Sequence, residues 1–341
     1  MNRRVFFLSL SGLAGCTGRS RPRLNVYNWS DYVAPDTIAN FEREFGVTVR
    51  YATYEAAEEL LAKMWTGNSG WDVVFPSNAY IAAMRDQRLL APVRHDWLAH
   101  LGNLDPVYAS PAWDPKLDWC VPYMHGATGV VYNSETVRNG VGSWSDFWQD
   151  RYHRRATMLD DPAEVIGAAL LKLGYPLNSG DSAQLEQSRR EAIAIKPYLR
   201  AYINAEVRDQ LIAGDVIAAQ AWSITAQSAI NSNRALRFVY PAEGFALYAD
   251  CAVILRESRR QRLAHEFIDY LLRPEVSSAI AVACGTATAN SAAVQLLPEP
   301  VRRNATLYPG PEVLARGQWF ETLTPASQRL RDRLWTEIKS A

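Results

Sequence analysis

The sequence predicts a soluble α/β protein of two domains. Three observations carry this. Residues 24–75 alternate strand, helix, strand, helix, strand, the pattern of a parallel sheet joined by crossover helices. A second α/β series begins at Ala156. The 341 residues, 48% hydrophobic and 21% charged, suffice for two domains of ordinary size.

The first strand is the short apolar run from Leu24 through Val26 towards Asn28, and it spills into Trp29-Ser30-Asp31-Tyr32. In open α/β sheets ligands sit outside the carboxyl ends of strands. An indole, a hydroxyl, a carboxylate and a phenol thus stand where a ligand would; the plainer alternative is two core aromatics around a turn aspartate. Pro35 opens a helix with Ile38, Phe41 and Phe45 on one face and Gly46 as its stop. Val47–Tyr51 reads as a strand, Glu55–Trp65 as a helix with Leu60, Leu61 and Met64 inward, and Asp72–Phe75 as a buried strand. Pro76-Ser77-Asn78 lies at its carboxyl end.

Residues 91–118 are rich in Pro, Trp and Asp and show no period. Trp119–Asn133 is strand-rich and broken by glycines, which read either as a hinge or as close packing. Pro162 opens a helix with Val165, Ile166, Ala169 and Leu173 inward. Strands are predicted at 216–221, leading into Trp222, at 236–240 and at 252–255. Leu263, Phe267, Ile268 and Leu271 stripe a helix that stops at Arg273-Pro274, and a last helix covers about 326–339.

Charge excludes one class. With 36 basic and 36 acidic residues and Arg scattered, no nucleic-acid partner is expected. Catalytic signatures are also missing. There is no G-x-S-x-G, and His265-Glu266-Phe267-Ile268-Asp269 stops one residue short of H-E-x-x-H. The five histidines lack ligand spacing, so no metal or cofactor is expected, and binding is favoured over catalysis. An exported lipoprotein enzyme built from distant residues stays open as the alternative.

The N-terminus reads as an export signal. Asn2-Arg3-Arg4 is a charged n-region and Val5–Gly15 a short apolar stretch. Leu13-Ala14-Gly15-Cys16 resembles a bacterial lipobox, which makes residues 1–16 a lipoprotein signal peptide, Cys16 the lipidated residue and 17–23 a tether. Of Cys120, Cys251 and Cys284, one disulfide with one free thiol and three buried thiols are both open.

Several stretches match one family in order. They are Asn28-Trp-Ser-Asp-Tyr32, Val74-Phe-Pro-Ser77, Asn103-Leu-Asp-Pro106, Pro122-Tyr-Met-His-Gly-Ala-Thr-Gly129, Ser143-Trp-Ser-Asp-Phe-Trp148, Lys172-Leu-Gly-Tyr175, Glu243-Gly244 and Leu271-Leu-Arg-Pro-Glu275. Together they resemble the polyamine substrate-binding proteins of bacterial ABC importers, the spermidine and putrescine type. The resemblance implies a two-lobed periplasmic-binding-protein fold (type II), with lobe 1 at 24–127 and 251–296 and lobe 2 at 128–250 and 299–341. It also implies a monomer in the periplasm or cell envelope, no enzymatic activity, and an ABC permease as partner. The membrane is touched through the lipid anchor only. A binder of another small cationic amine is the alternative within the class.

Burying a polyamine requires acceptors for its ammonium groups and aromatic walls for its methylenes. Position by position, the resemblance puts the ligand pocket on Trp29, Ser30, Asp31, Tyr32, Ser77, Asp161, Glu164, Trp222, Tyr248 and Asp250. Asp161-Pro-Ala-Glu164 also reads as a capping box, Asp250 as a turn residue at a strand start, and Trp222 as core. Tyr248 and Asp250, two apart, share one side of an extended chain. The chain departs from the family at Thr225, where putrescine-type members carry a second aspartate and which joins the expected pocket. It departs also at Thr286 (a tyrosine in the family), Phe320 (a glutamine in spermidine-type members) and His125 (a tryptophan).

Overall fold

The computed structural model describes residues 21–341. The expected signal peptide, the Cys16 acylation site and the start of the tether lie outside the described residues.

Eleven strands are described: β1 (Arg23–Trp29), β2 (Thr48–Tyr54), β3 (Val73–Val74), β4 (Val121–Asn133), β5 (Ala156–Met158), β6 (Leu199–Tyr202), β7 (Ala218–Trp222), β8 (Leu236–Val239), β9 (Phe245–Ile254), β10 (Ala287–Thr288) and β11 (Gly317–Trp319). They connect in the order β2-β1-β3-β9-β4-β7-β5-β6, with β8 and β10 on β4 and β11 on β9. β1 is parallel to β2 and β3, as the opening alternation predicts. Leu24, Val26 and Asn28 are all fully buried along β1. Helix Thr37–Phe45 ends at Gly46, whose φ of 65° favours a residue without a Cβ. Helix Ala57–Trp65 buries Leu60, Leu61 and Met64.

Two expectations need correction. β4 is not broken by its glycines but runs 13 residues without interruption. The close-packing reading holds: a Cβ at Gly126 would meet the Tyr248 phenol and lie 2.9 Å from Ser223 Oγ, and one at Gly129 would meet the Val239 carbonyl. β9 starts at Phe245 rather than 252, so Asp250 stands inside a strand and not at its start. All ten residues of β9 are buried, which erases the alternation that marks a half-buried strand. A smaller surprise follows Arg273, where Pro274 opens a second helix, Pro274–Cys284, as a first-turn proline can.

Two large cores flank the crossing strands. One draws on residues 24–124 and 249–289, with Phe41 packed edge-on to Phe267 at 5.0 Å. The other draws on residues 130–246 together with Leu334 and Ile338 of helix Pro325–Ser340. β4 and β9 belong to both. β4 pairs with β9 over 121–127 and with β7 and β8 over 128–133. Cys120, Cys251 and Cys284 are all free thiols, the first two buried and Cys284 half-buried, so the disulfide alternative falls while the three-buried-thiol one holds for two of them.

Candidate functional site

The first half of the site is built where β1 ends. After Trp29 the chain turns through Asp31, at φ 56°, and brings Tyr32 back inside. Tyr123 fixes the turn by donating its hydroxyl to the Tyr32 carbonyl at 2.6 Å. Tyr32 then donates its own hydroxyl to Asp250 Oδ2 at 2.8 Å. Trp29 donates its indole N–H to the Phe75 carbonyl at 3.0 Å, and its ring lies 4.5 Å from that of Tyr54. The Ser77 backbone pairs with that of Asp250 in an isolated antiparallel bridge, and the Cys251 N–H donates to the Pro76 carbonyl at 2.9 Å. Asp250 is 3% exposed, and burial pushes its carboxyl up to about 7 although the hydrogen bond from Tyr32 pulls the other way.

The second half starts at helix Pro162–Lys172. Asp161 caps it, its Oδ1 accepting from the N–H groups of Ala163 at 2.8 Å and Glu164 at 3.1 Å. Glu164 does not complete a capping box. Its Oε1 accepts instead from Thr128 Oγ1 at 2.7 Å and from the Trp222 indole at 2.9 Å. Glu164 is buried, and burial followed by repulsion from Asp161 raises its carboxyl. Burial, then Glu58, raises Asp161. The positive end of the helix favours ionised acids there, but desolvation is the stronger effect on both.

Tyr248 stands between the halves. It lies two residues before Asp250, opposite Gly126, and both Asp250 and Glu164 act on its phenol, which burial pushes up well above its ordinary value. Tyr80, in the turn after Ser77, feels Asp161 and Glu164 in the same way. The structure thus brings Trp29, Tyr32, Ser77, Tyr248 and Asp250 together, and joins Glu164 to Trp222 on the helix that Asp161 caps. Ser30 turns away and donates to Glu55 at 2.5 Å, while Asp31 is exposed. Thr225 is buried in helix Ser223–Ser232. Of the other departures, His125 stacks on Tyr108 at 4.9 Å, and Phe320 packs on the second core while its carbonyl accepts from Asn78 Nδ2 at 2.8 Å.

Sequence reasoning missed Thr128, Tyr80, Tyr54 and Asn78. Position alone offered a signal for Asn78, which directly follows Ser77 after β3, and for Tyr80 two residues further on. A surface cavity of about 510 Å³ lies elsewhere, between His95–Ala99 and Arg262–Arg273, and no expected site residue lines it.

The charge balance defines the chemistry. Among the described residues, Asp161, Glu164 and Asp250 make no ion pair with any Lys, Arg or His, whereas neighbouring Asp160 takes Lys339 at 2.5 Å. No three metal-binding side chains group together among the described residues either. Buried acids held only by neutral donors, among aromatic faces, suit an organic cation.

Two α/β cores joined by crossing strands, with a polar and aromatic cluster at the crossing, define a binding protein of the two-lobed type. A family model for bacterial extracellular solute-binding proteins matches residues 36–308. The spermidine/putrescine-binding periplasmic protein of Escherichia coli K12 is 32% identical over 318 residues, covering 93% of this chain and 91% of that one. The putrescine-binding periplasmic protein PotF of the same organism is 30% identical, covering 96% and 94%. The crystal structure of the spermidine/putrescine substrate-binding protein PotD from Streptococcus pneumoniae superposes with a TM-score of 0.83 at 30% identity, covering 94% and 99%. The chain belongs to the bacterial extracellular solute-binding proteins. Its fold is the type II periplasmic-binding-protein fold, and it is a binding protein rather than an enzyme.

Proposed function

We propose that this protein binds polyamines of the spermidine and putrescine kind between its two cores and presents them to an ABC permease. One observation carries the reading: Asp250 and Glu164 are buried without a cation and are surrounded by Trp29, Tyr32, Tyr248 and Trp222. The names of the relatives point the same way. In this reading Asp250 takes one ammonium group, and Glu164 with Asp161 takes another. Trp222 and Tyr248 flank the methylene chain. Thr225 lines the second half without adding charge.

The lobes of the reading are 24–127 with 251–296, and 128–250 with 299–341. They close on the ligand by bending where β4 and β9 cross. The protein works as a monomer in the periplasm, held to the membrane through acylated Cys16 and through nothing else.

A thermal-shift screen of spermidine, putrescine and unrelated small amines tests the ligand class. Binding to the native state raises stability by mass action, about 2.7 kcal/mol at a hundredfold excess over Kd. Polyamines should raise Tm, and neutral solutes of similar size should not. A shift with another cationic amine and none with polyamines would replace the polyamine by that amine.

A further inference from the structure

One edge of β9 is covered by two strands that belong to different cores. β3 runs antiparallel to it, pairing Val73 with Ile254 and Val74 with Val253, and the pairing continues through the Ser77–Asp250 bridge. β11 runs parallel to it, pairing Gly317 with Phe245 and Trp319 with Leu247. Leu247 also pairs with Ala127 of β4, so β11 lies on the edge away from β4, the same edge as β3. The two strands thus point their carboxyl ends at each other and meet beside Tyr248 and Ala249. Val73 and Phe75 belong to the first core, and Phe320 packs on the second.

A single side chain fills the joint. Asn78 is fully buried. The Cys251 N–H pairs with the Pro76 carbonyl, so the next rung of an antiparallel ladder would run from the Ala249 N–H to the Asn78 carbonyl. The side chain takes that rung instead: Oδ1 accepts from the Ala249 N–H at 3.1 Å. Nδ2 donates to the Phe320 carbonyl at 2.8 Å. The amide stands in for one peptide unit between two strand ends. Phe320 is held to the second core on both sides, because Asn178 accepts from the Glu321 N–H at 3.1 Å and donates to the Trp319 carbonyl at 2.8 Å. Thr322 also reaches across, donating to the Ala79 carbonyl at 3.2 Å, but that bond is exposed to water.

We propose that Asn78 is the latch between the two cores: its bond to the Phe320 carbonyl forms when the cores close over the ligand and breaks when they part. The inference rests on the polyamine reading above and adds a positioning residue that raises affinity without touching the amine. Parting the cores draws β3 and β11 apart along β9, while the β4–β9 ladder can bend and stay paired. Asn78 must then release one partner. Ala249 belongs to the first core, as β3 does, so the bond to Phe320 is the one that opens.

Losing the latch disfavours the closed form, which scales the affinity of every ligand by one factor. Asn78→Ala should raise Kd about tenfold for putrescine and spermidine alike, the effect of one buried hydrogen bond. The rise should come from faster dissociation at an unchanged association rate. Calorimetry and stopped-flow kinetics with both amines read this. An unchanged Kd would overturn the latch. So would a loss much larger for one amine than for the other, which would make Asn78 a ligand contact. The wild-type protein supplies a check that does not depend on how the variant folds. In 15N-labelled protein the Asn78 side-chain amide protons should exchange with water about tenfold or more slower at saturating spermidine than without it. Equal exchange in the two states would overturn the latch and leave the polyamine reading intact. A wild-type protein that binds neither amine overturns both.

Discussion

The two halves of the site hold their acids in different ways. Asp250 stands in the middle of a fully buried strand, alone, with a phenol as its hydrogen-bond donor. Glu164 stands in the first turn of a helix, held by a hydroxyl and an indole, with Asp161 as a second acid beside it. A strand fixes its side chain through neighbours on both sides, so the position of Asp250 depends on β4 and on Ser77. A helix start fixes Glu164 through its own cap and supplies a favourable dipole. The strand side is therefore the more singular: no other acid stands ready to replace Asp250, whereas Glu164 has a companion.

That asymmetry orders the expected losses. Removing one partner of a desolvated ion pair costs about 2–5 kcal/mol, so Asp250→Asn should weaken spermidine binding roughly 30-fold or more at 1.4 kcal/mol per decade. Glu164→Gln should cost less, because Asp161 remains. Equal losses for the two variants by calorimetry would break the comparison. Next in size is ligand choice. In the proposed reading a triamine would span from Asp250 to the Asp161–Glu164 pair and gain one charge-assisted contact, about 1.5–3 kcal/mol. Spermidine should then outbind putrescine roughly tenfold to a hundredfold, and Asp161→Asn should shrink the gap in competition titrations. Putrescine binding as tightly as spermidine would remove the second acid from the account.

Much of the frame was legible because water leaves a pattern. The helices at 37–45 and 57–65 each bury one face, and helical spacing records it, while β1 buries Leu24, Val26 and Asn28 on one face and Tyr27 on the other. β9 was half-hidden because both its faces are buried and Asp250 within it looks like a turn residue in sequence. The spacing of Asp161 and Glu164 was visible but ambiguous. A capping pair and an inward-facing acid require the same three-residue step, and only the geometry shows that Asp161 caps while Glu164 turns to Thr128 and Trp222. The importance of Asp250 came from resemblance alone. Thr128 and Tyr80 carried no periodic signal, because a site made where strands cross is a property of the crossing and not of any one segment.

The unbroken run of β4 and β9 through both cores bears on how motion would look to the solvent. From Met124 to Tyr132 the β4 backbone stays paired, first with β9 and then with β7, so a bend spread over these residues can twist the ribbon without opening a hydrogen bond. Amide protons at the crossing would then exchange slowly even while the two cores swing about it. The quietest stretch of backbone in an exchange experiment would be the one that moves the rest.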